Sequence, residues 1–495
     1  MSYVIGVDLG TQSLKGLLVD PQGKIVAEAT CAHEPIYPNP LWAEQPVEDY
    51  LHSFTCVIQE LIAKSGVKPE EIGTIGLDAI NDSVIATDEN GRALMNCIIW
   101  LDRRAEAETA EIAKTVDPAR VFEVSGLNLD STHTAAKMLW IKKNRPDVFE
   151  KAKYLLNVDS YMVYWMTGAA VVDYAQASAS MIYNVAEMTW SDEMAKVFGL
   201  DPALLGTICK AETVVGTLSE PIAHRLGLTV KTKVICGTGD EHSACLGSGL
   251  VKPGMVCDIT GTAEPVAGTS AKPVFDKKGL VETHHSADSR LWLIENPGFV
   301  SGGSTRWYKD IILREPSYDL MNVQAKRSPI GSNGVTFLPC MGGAMTPTWN
   351  GNARGTFTGM TMDTSRADLV QAVLEGVAFA IRDSFEVAKS LGIAIPRSNI
   401  CGGGAKSPLW RKIFANVLGI PLDMVKTEQG PGYGAAMLAM VGCGKFASVQ
   451  EAADALVETA STTEPAAALT AKYEARYQNF KKLYPALKDF FAATV

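Results

Sequence analysis

Residues 7–19 read V-D-L-G-T-Q-S-L-K-G-L-L-V: two apolar runs around a turn carrying a carboxylate, a glycine, two hydroxyl side chains and a lysine. Residues 255–270, M-V-C-D-I-T-G-T-A-E-P-V-A-G-T-S, repeat the plan of strand, small-residue Gly-Thr turn and strand. The sequence identity between the two is weak, but the layout is the same. A chain that builds this polar-tipped hairpin twice, far apart, is expected to fold as two similar domains facing one cleft.

The surroundings of the first hairpin predict mixed α/β structure. Val4–Val7, Gly16–Asp20 and Lys24–Glu28 read as strands, with P-Q-G at 21–23 as a turn. A helix is expected at about Pro46–Lys64, with apolar positions at Val47, Tyr50, Leu51, Phe54, Val57, Ile58, Leu61 and Ile62. I-G-T-I-G-L-D and V-I-A-T-D-E-N-G-R then give a strand and a hairpin. The order β-β-β-α-β is not the β-α-β alternation of a doubly wound dinucleotide fold. In the second half, V-I-C-G-T-G-D (234–240) leads to a helix start at A-C-L-G-S-G-L-V. Arg366–Leu391 is a helix closed by Gly392, and I-C-G-G-G-A-K-S-P-L-W (400–410) is strand, glycine loop and helix start. From Ser448 the chain is Ala- and Glu-rich with helical spacing, read as peripheral helices. The expected division is 1–246, 247–447 and a helical extension, 448–495, packed on the second domain.

Bulk properties exclude several classes. A net charge of −10 over 495 residues lacks the basic face a nucleic-acid binder needs. Ten cysteines without a C-x-x-C pair argue against zinc-ribbon and thioredoxin-like sites and for reduced, mostly buried thiols. No run of eighteen apolar residues marks a membrane span, and no basic, apolar leader precedes the first strand. A soluble cytoplasmic protein is expected.

Three small-residue loops could hold a ligand. In the first, Gly10 allows a tight turn, and Thr11 and Ser13 offer hydroxyl and N–H donors, which together make an anion-binding concavity. Asp8 repels phosphate, so its sensible task is to hold Mg²⁺; a plain hairpin tip is the competing reading. The second loop is Gly261-Thr262, with the charge of Glu264 as a mild objection. The third, Gly402-Gly403-Gly404-Ala405, lets a flat ligand lie on bare backbone, or else is a loop squeezed by packing. Neither G-x-x-x-x-G-K-[ST] nor a G-x-G-x-x-G after the first strand is present, which argues against a P-loop or a dehydrogenase. Asp240, in G-T-G-D-E-H, stands where a strand enters a helix; it can take a proton from an attacking hydroxyl or simply cap the helix. His242 reads as structural.

Together these residues resemble the FGGY carbohydrate kinases, a branch of the actin-like ATPase fold, from Tyr3 to about Gly444. D-L-G-T-Q-S-L-K resembles the family's first phosphate loop, L-W-A-E-Q-P (41–46) a common segment, G-T-G-D-E-H the catalytic aspartate and D-I-T-G-T the second phosphate loop. G-T-F-T-G-M, seven residues, then D-L-V-Q-A-V-L-E (355–375) matches the C-terminal signature, and C-G-G-G-A-K-S-P-L-W the adenosine segment. The resemblance implies an α/β fold of two actin-like (ribonuclease H-like) domains flanking a nucleotide cleft. It implies transfer of the γ-phosphoryl of MgATP to a sugar or polyol hydroxyl, with Asp240 as base close to the metal and Asp8 positioning Mg²⁺. Thr11, Gln12, Ser13 and Lys15 would line one side of the phosphates, and Gly261 and Thr262 the other. Gly403, Gly404 and Ala405 would follow the nucleoside, with Gly303 in S-G-G-S-T-R-W as a further contact.

For the acceptor the resemblance points to Asn81, Asp82, Trp100, Asp240 and Glu241. Members acting on xylulose usually carry Q-M-H-G after the strand that here ends I-G-L-D-A, and those acting on glycerol carry Arg-Glu; this chain has I-N-D-S. Asp82 is chemically nearer to that glutamate. Trp100 could give a sugar's C–H face a wall or pack in the core, and Asp102 and Arg103 extend its segment. Threonine at 132 departs from the family's first signature, and His133 beside it could touch the acceptor. The overall layout favours a pentulose such as D-xylulose; ribulose, erythritol, glycerol and other polyols or ketoses stay open. A homodimer is expected. The reading from another class is an actin-fold ATP-binding regulator that phosphorylates no sugar.

Overall fold

The computed structural model describes residues 2–493 apart from 261–264, 297–300, 345, 349 and 427–429. β1 (Tyr3–Leu9) pairs antiparallel with β2 (Ser13–Val19), and β2 with β3 (Ile25–Ala32). β1 is buried on both faces, so its sequence is a continuous apolar run. α1 (Val47–Ser65) turns Val47, Tyr50, Phe54, Val57, Ile58 and Leu61 inward, the expected face. It is the crossover that brings β4 (Ile72–Ala79) back parallel to β1. β5 (Val214–Thr217) and β6 (Lys233–Ile235) complete the order β5-β6-β4-β1-β2-β3, and β7 (Thr238–Gly239) adds to the end of β4.

α2 (Asp240–Gly247) springs directly from β7. The helix therefore begins at Asp240, and the A-C-L-G expected as its start is its last turn. Gly249, at φ 83, leaves the helix end in the left-handed conformation typical after a terminus.

The second sheet contains β8 (Val256–Thr260), β9 (Val266–Ser270), β10 (Glu282–His285) and β11 (Trp292–Asn296). After α3 (Arg366–Ser390) come β12 (Ser398–Gly402), α4 (Pro408–Leu418), β13 (Leu422–Val425), α5 (Gly430–Gly442) and β14 (Thr459–Thr463). Its order is β10-β11-β9-β8-β12-β13-β14. Leaving out β10, both sheets read antiparallel, antiparallel, parallel, parallel, antiparallel from the β3 or β11 edge. The repeated hairpin is thus the legible part of a duplicated wiring. Only at the far edge does chain order differ, β5 preceding β6 but β14 following β13.

β14 corrects the all-helical reading of the C-terminal section. T-A-S-T-T is β-branched and polar, which suits an exposed edge strand. Thr462 Oγ1 donates to Asp423 Oδ1 of β13 at 2.6 Å. The helices beyond it, Ala467–Phe480 and Leu483–Ala493, place Tyr473, Tyr477, Phe480 and Phe491 in the core that α3 builds.

α5 lies against the first sheet although it follows β13 in the chain. A Cβ at Gly6 would stand 2.1 Å from Gly432 O, one at Gly76 2.2 Å from Ala435 O, and one at Gly434 2.1 Å from Ser243 O of α2. The helix therefore meets β1, β4 and α2 backbone on backbone.

The segment between β4 and β5 has its own core, including Met138, Leu139, Trp140, Ile182 and Phe198. There 41–46 meets 98–104: Arg104 bonds Asp102 at 2.7 Å and Glu44 at 2.8 Å, stacks 3.9 Å over Trp42, and Ala43 N donates to Asp102 at 2.6 Å. All ten cysteines are free; Cys97, Cys236, Cys245, Cys257 and Cys340 are buried and the other five are partly exposed, so the expectation of mostly buried thiols holds for half of them. Among the described residues no helix is long and apolar enough to cross a membrane.

Candidate active site

The first loop is a tight turn braced from outside. Gly10 N donates to Ser13 O at 3.1 Å, and His33, just past β3, donates from Nε2 to Gly10 O at 2.9 Å and from its backbone to Gln12 O at 3.0 Å. Trp100 donates from its indole to Thr11 Oγ1 at 3.0 Å and is 44% exposed, which excludes core packing. With the loop, Lys15, Pro35 and Tyr37 it lines a cavity of about 380 Å³ that Asp8 also faces.

Three carboxylates stand where neighbouring strands end. Asp8 of β1 is in register with Asp78 of β4, Thr238 of β7 pairs with Asp78, and Asp240 follows two residues on. In open α/β sheets the carboxyl ends of strands are where ligands bind. Burial, with the charge of Asp8, lifts Asp240 to about 7; the N–H of Glu241, 2.7 Å from its Oδ1, works the other way. Burial also lifts Asp8 to about 6, with Lys15 opposing, and holds Asp78 well above the usual range with help from Asp8 and Asp240. Several hard oxygen donors that repel one another in a buried place fit a divalent cation such as Mg²⁺.

The acceptor candidates lie next to this group. Asn81 Oδ1 is buried with no partner among the described residues and lies against Gly239, directly before Asp240. Asp82 has φ 52, a conformation held by Lys137, whose Nζ donates to Asp82 O and Thr132 O. Its side chain faces His133 Nδ1 at 3.3 Å, and His133 Nε2 faces Glu282 of β10 at 3.5 Å. Glu241 pairs with Glu295 of β11, and His284 Nε2 lies 3.7 Å from Glu295. Burial and the Glu295 charge hold Glu241 well above its ordinary value, so this pair keeps a proton. Asp102 is fully buried on Arg104, and Arg103 pairs with Asp130.

The His133–Glu282 contact links the two halves and predicts a pH dependence. Burial pulls His133 down, but Asp82 and Glu282 outweigh it and leave it well above 6.5; burial pushes Glu282 up, but His133 and His284 bring it to about 2. The histidine's contribution to stability is complete below its unfolded value of 6.5 and lost as pH rises through its folded value. The glutamate's is complete above 4.5 and lost as pH falls through about 2. The Tm difference between wild type and Glu282→Gln is therefore largest between 4.5 and 6.5 and shrinks on either side; a difference in thermal melts that stays the same from well below 4.5 to well above 6.5 would contradict the link.

The glycine loop divides in two. A Cβ on Gly403 would meet nothing within 4 Å, leaving an open face, whereas one on Gly404 would collide with Trp410 and Thr260. Ala405 is buried and its N–H donates to Thr260 Oγ1 at 2.9 Å. Packing thus squeezes Gly404 and Ala405, while Gly403 keeps an open face. Gly303 lies in the first turn of a short helix, Gly302–Trp307. Gly261, Thr262 and Glu264 lie outside the described residues.

Asp78, His33, Glu282 and Glu295 are the residues that sequence reasoning missed. Asp78 had a signal, a carboxylate near the end of an apolar strand as at Asp8. The others become visible only through contacts between distant segments.

A duplicated α/β wiring around a cleft of buried carboxylates defines the class of actin-like ATPases. The profile of the FGGY family of carbohydrate kinases, N-terminal domain, matches residues 3–247, and that of its C-terminal domain residues 258–443; the chain belongs to this family. It is a carbohydrate kinase with ATP as phosphoryl donor. It is 27% identical over 493 residues to a xylulose kinase of Bacillus subtilis, covering 100% of this chain and 99% of the relative. It is 28% identical over 464 residues to glycerol kinase 2 of Thermotoga maritima, covering 92% of each. A solved xylulose kinase from Rhodospirillum rubrum superposes with a TM-score of 0.92 at 27% identity, covering 99% of this chain and 100% of the other.

Proposed function

We propose that the protein transfers the γ-phosphoryl group of ATP to a hydroxyl of a neutral pentulose such as D-xylulose, with Mg²⁺ accompanying the nucleotide. The observation that carries this reading is the convergence of Asp240, Asp8 and Asp78 at the ends of adjoining strands, beside a braced anion loop. Asp240 takes the acceptor's proton as its oxygen bonds to the γ-phosphorus, and the bond from that phosphorus to the β–γ bridging oxygen breaks to leave ADP. A base near 7 is matched to neutral pH. Asp8, Asp78 and Asp240 would hold the cation, which when bound neutralises phosphate charge. Thr11, Gln12, Ser13 and Lys15 face the phosphates, and Gly403 offers its open side to the nucleoside.

Asn81, Asp82 and Glu241 select the acceptor. The group formed with Glu282 and Glu295 offers carboxyl oxygens that accept hydrogen bonds from sugar hydroxyls, and the negative charge it keeps beside His133 favours a neutral ketose over an aldonate. The xylulose kinases among the relatives support a pentulose; the glycerol kinase relative keeps a smaller polyol as the second reading. A coupled ADP-release assay over ketoses, polyols and gluconate tests this. The expected result is highest kcat/KM on a pentulose and none on gluconate; acceptor-independent ADP release would overturn it.

Asp82→Ala is expected to raise acceptor KM by about 10–100-fold, the worth of a hydrogen bond to a charged group, with ATP KM nearly unchanged. Equal changes in both would remove Asp82 from the acceptor pocket. A homodimer and a cytoplasmic setting belong to the same reading, and the exposed apolar side chains Ile311, Ile312, Tyr318, Leu320 and Val323 are candidates for the dimer contact. Sedimentation velocity at assay concentration is expected to give the dimer mass.

A further inference from the structure

α1 and β3 carry a side-chain cluster that phosphoryl transfer does not use. His52 and Cys56 are four residues apart on α1, so they share one face, and Cys31 meets them from β3. His52 Nε2 lies 3.5 Å from Cys56 Sγ, and one ligand atom from each of the three residues lies within 4.8 Å of the other two. Tetrahedral Zn²⁺, with bonds of about 2.3 Å to sulfur and about 2.0 Å to nitrogen, holds such ligands about 3.5–3.8 Å apart. The cluster is therefore at, or a small side-chain rotation from, ligating geometry.

We infer that Cys31, His52 and Cys56 form a binding site for a soft divalent cation of the Zn²⁺ class, through two thiolates and one imidazole. Glu60, the carboxylate nearest along the helix face, is paired with Lys64 at 2.6 Å, so the fourth position is left to water. Both cysteines are partly exposed and His52 is exposed, so an ion reaches the site from solvent. Each thiol releases its proton to solvent as its sulfur–metal bond forms, and no oxidant is needed.

The site sits behind the phosphate loop. Cys31 is paired with Leu14 of β2, and two residues beyond it His33 holds Gly10 O and lies 3.4 Å from Ser53 of α1. An ion binding strand and helix together stiffens the elements that brace the loop, so occupancy is expected to raise Tm and to shift KM for ATP.

The test is titration of the full chain, kept reduced with a phosphine, with Co²⁺ or Cd²⁺ followed by thiolate-to-metal absorption. One equivalent is expected, displaced by Zn²⁺, with the band lost in Cys31→Ser and in Cys56→Ser. His52→Gln, on the exposed face, is expected to weaken binding by more than the roughly 10–100-fold that loss of an outer partner costs a metal site; it keeps the test decisive should a serine variant fold poorly. A band that persists in the Cys31→Ser/Cys56→Ser double variant, or none in wild type, overturns the site. So does recovery of a Cys31–Cys56 disulfide with no uptake by the reduced chain. None of these readouts depends on the sugar acceptor.

Discussion

Asp240→Asn lowers kcat by about 10²–10⁴-fold, the usual worth of a positioned general base, a larger effect than on KM for the acceptor or for ATP. The substitution keeps size but removes the proton acceptor and one negatively charged oxygen of the cation group. What remains is the rate that alignment of acceptor and nucleotide supplies alone. In wild type, kcat/KM is expected to rise with pH as Asp240 ionises near its value of about 7 and then level off; this limb disappears in the variant. Turnover by Asp240→Asn close to wild type would end the assignment of Asp240 as base.

The second large effect is on stability. Gly76→Ala places a Cβ 2.2 Å from the backbone oxygen of Ala435, and Gly6→Ala places one 2.1 Å from that of Gly432. A side-chain neighbour could rotate away, but a peptide oxygen within a helix cannot move without its helix. α5 must lift from the first sheet or β4 must shift, at a cost of about 3 kcal/mol, the upper part of the range for overpacking. Gly351→Ala is the control: its Cβ would meet nothing within 4 Å, and its midpoint in urea is expected to match wild type. A Gly76→Ala midpoint equal to that of the control would refute the tight contact.

The first half of the fold was legible where burial imposes a pattern. β1 and β2 are apolar because both faces are covered, and α1 repeats its apolar positions because one face is covered. The duplication was legible because the hairpin turn and its flanking strands recur. β14 was missed because an edge strand that shows water its side chains has no apolar signature, and its alanine and threonines read as easily as helix. In the site, Asp8 and Asp240 could be found from local motifs, since glycines and strand ends flag them. The role of Asp78 depends on parallel register with Asp8, and that of Glu282 on a contact with His133 from the other half of the chain. No local pattern encodes either. Trp100, expected at the acceptor or in the core, has its hydrogen-bond partner, Thr11, in the first loop.

The glycine seam under α5 also bears on how the two halves are joined. Peptide planes rest on peptide planes at Gly6, Gly76 and Gly434. Around them Tyr433, Ala436, Met437 and Leu438 of α5 share one hydrophobic core with Val4, Leu17 and Val19 of the first sheet. The helix acts as a rivet: a segment late in the chain is driven into the first half and ties it to the strands that α5 follows.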